Sequence, residues 1–263
     1  MTTIDHKHGQ VQDASKPLWA RYRPGHHWKN AAEEFDGCKL GFWLFLATEV
    51  LLFAGIFVAY AIFRAKYPGA WAEGSSQLDW KIGGINTVVL LVSSFTMAYS
   101  IYCFQTDKIK KGQQMLLATF AMGGLFLVLK LLLEYMPKMT GYFLSFDPAL
   151  SHYTDLIVAE HAKMGGLLQY VDGYGGKAPG KFFTHGFALD VSVPLWWSVY
   201  YSGTAIHALH VVIGMTMIAR AYFRSFKGYY GSGHYTFVEM TGLYWHLVDL
   251  VWIFLFPLLY LIH

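Results

Sequence analysis

The sequence predicts an all-α membrane protein, a bundle of five transmembrane helices, and three observations support this fold class. The composition is 55% hydrophobic and only 14% charged, whereas soluble domains carry about a quarter charged residues. Five apolar segments reach the length needed to cross a bilayer; they lie at about 39–64, 83–104, 113–136, 194–219 and 237–262. Lysine and arginine are concentrated in alternate connections, as expected for cytoplasmic loops.

The distribution of basic residues gives the predicted topology. The polar segment 1–37 is rich in lysine and arginine, and so are the connections after the second and fourth spans. These connections contain Lys108, Lys110, Lys111, Arg220, Arg224 and Lys227. The N-terminus is therefore expected in the cytoplasm and the C-terminus on the outer side. We predict a cytoplasmic tail (1–37) and a membrane domain (38–263) with a long outer connection (138–193).

Charge and cysteine content exclude several classes of protein. The net charge of +3 comes without a basic stripe, so no nucleic-acid partner is expected. Cys38 and Cys103 fall at the cytoplasmic ends of spans and form no CxxC pair, which predicts neither a disulfide nor a metal site. Trp71, Trp80, Trp196 and Trp197 flank predicted spans and are expected to anchor them at the membrane interface.

Glu49 is the acid in the interior of the first span. It follows Lys39 by ten residues, which places its carboxyl about 15 Å into the membrane. A charged group at that depth costs about 2.5 kcal/mol or more on insertion scales. Glu49 is therefore expected to face protein or a water-filled space.

Histidines and a second acid occupy the last two spans. His207 and His210 share one face of the fourth span, and His246 and Asp249 share one face of the fifth. Depth along the helices allows Glu49, His207, His246 and Asp249 to meet in one layer. Three interpretations remain open: structural hydrogen bonding between helices, axial ligation of a haem by His207 and His246, and a proton or ion path.

Lys130 and Glu134 lie on one face of the third span, four residues apart. The lysine is expected to extend toward the membrane surface while pairing with the acid. This spacing favours an internal ion pair over a transport role.

Several segments together resemble a known family. GFWLFLATEVLLFAGIFVAYAIF, INTVVLLVSS, LVLKLLLEY, HALHVVIG and YWHLVDLVWIFLF are similar, in this order, to helices of cytochrome c oxidase subunit III in the haem-copper oxidase superfamily. The likeness covers about residues 40–263 and is to the bacterial five-helix form.

The resemblance implies an accessory subunit of a terminal respiratory oxidase in the bacterial inner membrane. That complex reduces oxygen to water and pumps protons, and its haem and copper belong to subunits I and II. This chain is then expected to have no catalytic residue or redox cofactor of its own and to bind phospholipid.

The resemblance also assigns roles to individual residues. Glu49 matches a buried carboxyl associated with proton handling, and Phe45 and Arg224 match contacts to bound phospholipid. The remaining residues match an intramembrane polar set to which we assign a structural role. These residues are His207, His210, Glu239, His246 and Asp249.

The chain departs from the longer members of the family in two ways. It has five spans where they have seven, and the connection 138–193 has no recognised counterpart. We hypothesise that this connection docks cytochrome c, another donor or a neighbouring respiratory complex.

Two alternatives to the function of the whole chain remain. It could be a related subunit of a quinol oxidase or nitric oxide reductase, or a haem-binding or proton-transporting membrane protein of a different class.

Overall fold

The computed structural model describes residues 2–4, 11–13, 16–140, 142–144, 168–170 and 193–262. Its helices are α1 (Ala31–Lys66), α2 (Pro68–Ser76), α3 (Trp80–Gln105), α4 (Ile109–Thr140), α5 (Val193–Ser225) and α6 (Thr236–Tyr260). A 3₁₀ turn covers Leu18–Arg21. Strands β1 (Thr2–Ile4) and β2 (Val11–Asp13) pair antiparallel, as do β3 (Tyr142–Leu144) and β4 (Leu168–Tyr170).

Within the described residues, five helices are long and apolar enough to cross a membrane, namely all except α2. This confirms the all-α fold class with five spans. The two short strand pairs were not expected from the sequence. Which side of the membrane each terminus occupies stays a prediction.

Helix α1 begins at Ala31, inside the segment 1–37 that was predicted to be a cytoplasmic tail. The backbone N–H of Glu33 donates to Asn30 Oδ1 at 2.8 Å, and the Glu33 carboxylate accepts from the N–H of Lys29 at 2.8 Å. The Asn30 side chain thus satisfies an N–H group that a helix start leaves free, and Glu33 accepts from the residue before this cap. The helix has 36 residues and is therefore about 54 Å long, more than a hydrocarbon core requires.

The chain divides into two compact units. The first comprises Met1–Val50, Leu91–Met122 and Val211–Asp249, and the second comprises Leu51–Leu90, Gly123–His210 and Leu250–His263.

In the first unit, the segment before α1 packs on the loop between α5 and α6. The backbone N–H of Trp19 donates to the carbonyl of Gly228 at 2.9 Å. The Trp19 indole covers Gly231 so closely that an added Cβ would lie 2.5 Å from the ring. The Tyr22 ring stacks on His234 with centroids 3.7 Å apart. Trp19 and Tyr22 of the predicted tail are thus packed against the loop between α5 and α6.

In the second unit, hydroxyl groups satisfy the last turn of α6. Tyr60 of α1 donates to the carbonyl of Leu258 at 2.5 Å, and Ser75 of α2 donates to the carbonyl of Leu259 at 2.9 Å. Helix α2 lies against α5, where a Cβ at Gly74 would approach the Trp196 ring to 2.3 Å. Such contacts secure backbone groups that water cannot reach in a membrane.

The tryptophans at the ends of the spans do not all act as interface anchors. Trp80 is 53% exposed, whereas Trp71, Trp196 and Trp197 are almost completely buried. The anchoring prediction was therefore wrong for these three residues, because α2 and the start of α5 provide an aromatic core for them. Trp196 and Trp197 pack edge to face, with centroids 4.7 Å apart.

Candidate functional site: polar clusters in the spanning helices

The most buried charged groups form a cluster in the second unit. Lys130 and Glu134 lie on a π-helical segment of α4 (Lys130–Tyr135), and only 2% and 1% of their surfaces are exposed. Their side chains form an ion pair, as the spacing predicted. A π-helical segment in the middle of an α-helix often marks a position under functional or structural constraint.

Aromatic side chains complete this cluster. Tyr200 of α5 donates to Glu134 Oε2 at 2.9 Å, and Tyr260 of α6 donates to the same oxygen at 2.5 Å. The Lys130 ammonium lies 5.0 Å from the centre of the Trp252 ring, within the range of a cation–π contact. The expectation that Lys130 extends toward the membrane surface was wrong. Its charge is stabilised inside the protein, because a carboxylate, two hydroxyls and aromatic faces surround it.

The two histidines of α5 also lie in the second unit. His207 is fully buried, and its ring packs 5.6 Å from that of Phe126 and 5.1 Å from that of Trp252. His210 donates from Nδ1 to the carbonyl of Ile206 at 2.7 Å. These contacts are typical of core histidines.

In the first unit, two adjacent serines of α3 meet two adjacent residues of α6. Trp245 Nε1 donates to Ser93 Oγ at 3.0 Å, and the Ser94 hydroxyl pairs with His246 Nδ1 at 2.7 Å. Asp249, one helical turn after His246, is 3% exposed and lies beside Ser94. His246 and Asp249 are thus brought together with α3. His207 belongs to the other unit, so the shared layer of four residues stays a prediction.

Glu49 is half-buried in α1, close enough to Tyr244 of α6 for an electrostatic interaction. The other acid of the predicted set, Glu239, pairs with Lys39 at 2.8 Å. The Lys39 side chain is 37% exposed and that of Glu239 is 15% exposed. This second ion pair is therefore much more accessible than that of Lys130 and Glu134.

The two predicted lipid contacts lie in the first unit. The Arg224 guanidinium lies 4.5 Å from the centre of the Tyr229 ring, near the C-terminal end of α5. Phe45 is 42% exposed, and its ring is nearly parallel to that of Tyr244 at 6.2 Å. Arg224 is half-buried and Phe45 is exposed, so both side chains remain partly accessible in this unit.

Titratable groups outside the spans are found where the N-terminal segment docks. The Tyr22 hydroxyl donates to Glu34 Oε2 at 2.9 Å. Burial, together with this hydrogen bond to a carboxylate, raises the pKa of Tyr22 to about 12. Burial lowers the pKa of His234, and the nearby Arg224 adds to this effect while Glu34 opposes it.

The candidate site thus consists of separate polar clusters within a helical membrane domain. Among the described residues, no group of three or more histidine, cysteine, aspartate or glutamate side chains could hold a metal ion.

Comparison with known proteins identifies the family. The sequence model described as "Cytochrome c oxidase subunit III" matches residues 21–142 and 181–263. The chain belongs to the cytochrome c oxidase subunit III family. Residues 143–180, in the connection for which no counterpart was recognised, fall between the two matched segments.

Individual subunit III sequences align along most of their length. The cytochrome c oxidase subunit 3 of Thermostichus vulcanus is 28% identical over 234 residues, which cover 89% of this chain and 91% of that protein. The protein of the same name from Synechocystis sp. is 29% identical over 258 residues, covering 96% and 87%. That from Bacillus sp. (strain PS3) is 26% identical over 248 residues, covering 94% and 97%.

Sequence reasoning missed several members of the polar clusters of this subunit III chain. Tyr200 and Tyr260 were not identified as partners of Glu134, nor was Ser94 as the partner of His246. Hydroxyl side chains are common in transmembrane helices, and no spacing rule links residues on different helices. Spacing within a single helix identified the pair of Lys130 and Glu134, and the pair of His246 and Asp249, but not their partners on other helices.

Proposed function

We propose that this chain is the accessory subunit III of a terminal respiratory oxidase, a complex that reduces oxygen to water and pumps protons. The observation that carries the proposal is the family match across both halves of the chain, with five helices able to span a membrane. The relatives aligned above are named cytochrome c oxidase subunit 3. The proposed location is the bacterial inner membrane, with the N-terminus in the cytoplasm.

The proposed assignment leaves haem and copper to subunits I and II. His207 supports this view, since its ring is enclosed by Phe126 and Trp252. An axial haem ligand binds the iron through a ring nitrogen and needs room for the porphyrin beyond that nitrogen, whereas His207 is fully buried among side chains. The Nδ1 atom of His246 forms a hydrogen bond with the Ser94 hydroxyl. Hydrogen bonding between helices is therefore a sufficient reason for a histidine at this position.

The proposed contribution of the chain is to hold phospholipid and to support subunit I. Arginine is suited to phosphate because its planar guanidinium donates paired hydrogen bonds. Arg224 is therefore proposed to bind a lipid phosphate, with Phe45 against an acyl chain.

A groove in the second unit offers a further apolar surface for lipid. It has a volume of about 610 Å³ and lies between the end of α1, α2 and the end of α6. Of the described residues that line it, Arg64 is the one with a charge.

Glu49 supports the proposed contact with a catalytic partner. A half-buried carboxyl in the apolar part of α1 is unfavourable against lipid. We propose that this part of α1 faces subunit I and helps maintain proton uptake there. The connection 138–193, which lies mostly outside the described residues, is proposed to meet cytochrome c or another donor.

The test is to purify the complex through a tag on this chain and to identify the copurifying proteins. The visible spectrum is recorded before and after this subunit is dissociated. We expect a catalytic subunit with haem and copper to copurify and the separated chain to be colourless. A haem band that stays with the separated chain would disprove the assignment, and so would purification without any oxidase subunit.

A further inference from the structure

Asp249 is a buried acid that neither ion pair uses. It lies in the middle of α6, about 20 Å along the axis from Thr236, and only 3% of its surface is exposed. Among the described residues, no side chain or backbone group meets hydrogen-bond geometry with either of its carboxylate oxygens. Ser94 lies beside the carboxyl group.

Helices α3 and α6, which carry Ser94 and Asp249, supply no lysine or arginine at this depth. Helix α6 contains no lysine or arginine, and the one basic residue of α3 is Lys81 at its start. Even on insertion scales, a charged aspartate at the centre of a membrane helix is strongly unfavourable. An ionised Asp249 would therefore be buried without compensation, whereas a neutral acid needs only a hydrogen-bond acceptor.

Ser94, beside the carboxyl group, can serve as that acceptor, and His246 extends the route for the proton. The Ser94 hydroxyl pairs with His246 Nδ1 at 2.7 Å, and a hydroxyl can donate one hydrogen bond while accepting another. With a neutral imidazole protonated at Nε2, Ser94 donates to Nδ1 and can accept from the Asp249 carboxylic acid. His246 itself is half-buried. The path from Asp249 through Ser94 to His246 therefore leads from a buried acid to a partly accessible imidazole ring.

We propose that Asp249 holds a proton as a neutral carboxylic acid and exchanges it through Ser94 and His246. In the exchange, the Asp249 O–H bond breaks as Ser94 gains that proton, while the Ser94 proton moves to His246 Nδ1. The products are an aspartate anion and an imidazolium cation, so charge and protons balance. Because this pair of charges is costly in the membrane, the neutral state is the resting state.

Infrared spectroscopy of the purified complex tests the proposal directly. A neutral carboxylic acid has a carbonyl stretching band that an ionised carboxylate lacks, and isotope-labelled aspartate distinguishes its band from those of glutamic acids. We expect one such band to disappear in Asp249→Asn. It should persist in Glu49→Gln and in Asp79→Asn, a control in which an acid near the start of α3 is removed. Asp79 accepts from the N–H of Lys81 at 2.7 Å.

The exchange route is tested by the rate at which the band shifts in heavy water. Ser94→Ala removes the bridging hydroxyl, and His246→Leu removes the terminal acceptor. We expect both variants to keep the band but to slow its isotope shift at least tenfold. Absence of an Asp249 band in the native protein would overturn the neutral acid. A band whose isotope shift is as fast in both variants as in the native protein would overturn the route.

Discussion

Removing the Glu134 carboxylate should leave Lys130 as an uncompensated charge inside the second unit. Glu134→Ala deletes an ion pair whose two side chains are 3% and 1% exposed. Breaking a buried pair by removing one partner typically costs about 3 to 5 kcal/mol. Tyr200 and Tyr260 also lose their common acceptor, and an orphaned buried hydroxyl costs about 1 kcal/mol or more. We therefore expect a loss of at least 3 kcal/mol of unfolding free energy.

The assay is equilibrium unfolding in mixed micelles, with tryptophan fluorescence followed as the fraction of denaturing detergent increases. Lys39→Ala is the matched control, because it breaks an ion pair of the same chemistry at an accessible position. Exposed pairs contribute about 0 to 1 kcal/mol. The Lys39→Ala variant should therefore unfold close to the native midpoint, whereas Glu134→Ala should unfold at a much lower detergent fraction.

A double variant separates charge compensation from packing. Lys130→Met with Glu134→Met removes both charges and keeps comparable volume. Replacing a buried ion pair by apolar residues is often neutral or stabilising, so the double variant should be more stable than Glu134→Ala. A Glu134→Ala variant that unfolds at the native midpoint, or a double variant no more stable than it, would refute the charge-compensation reasoning.

Four further predictions concern other parts of the chain. Gly74→Ala should cost about 1 to 3 kcal/mol of unfolding free energy, because a Cβ would approach the Trp196 ring to 2.3 Å. Gly69→Ala in the same helix, with nothing within 4 Å, should be nearly neutral in the same unfolding assay. Since burial lowers the pKa of His234, docking of the N-terminal segment should be strongest above the unfolded pKa of 6.5 and weaken as pH falls toward the lower folded value. Amide exchange at Trp19 should show this dependence, and His234→Gln should remove it. Arg224→Gln should lower retained phospholipid through the loss of a charge-assisted hydrogen bond worth about 1.5 to 3 kcal/mol, whereas Arg220→Gln should retain it; equal lipid in both purified complexes would contradict the assignment. Glu49→Ala should leave the complex assembled but shorten its active lifetime during turnover, and loss of assembly in affinity purification would instead indicate a structural role.

The sequence was sufficient for the membrane class and the number of spans. An apolar segment of about 20 residues has few stable structures in a bilayer other than a helix, because its backbone groups must be satisfied internally. That constraint acts on each segment separately, so each span can be predicted without knowing which helices pack against it. The ion pair of Lys130 and Glu134 was also predictable, since four-residue spacing within one helix fixes their proximity.

The start of α1 was missed although the local sequence contains a signal for a helix N-terminus, because the surrounding residues are polar. The sequence 30–33 reads Asn-Ala-Ala-Glu, a pattern typical of a helix N-terminus. Charged and polar residues nearby led to its assignment to the tail. The helix extends beyond the apolar segment because capping, unlike membrane insertion, does not require hydrophobic side chains.

By itself, the sequence determined which segments are able to span a membrane and which of their polar residues share a helix face. Only the tertiary structure decided their partners: Tyr200 and Tyr260 for Glu134, Ser94 for His246, and the aromatic rings around Lys130. It also decided that Trp71, Trp196 and Trp197 lie inside the protein. The physical reason is that contacts between helices depend on rotation, crossing angle and axial register, which are fixed jointly by packing over the whole interface.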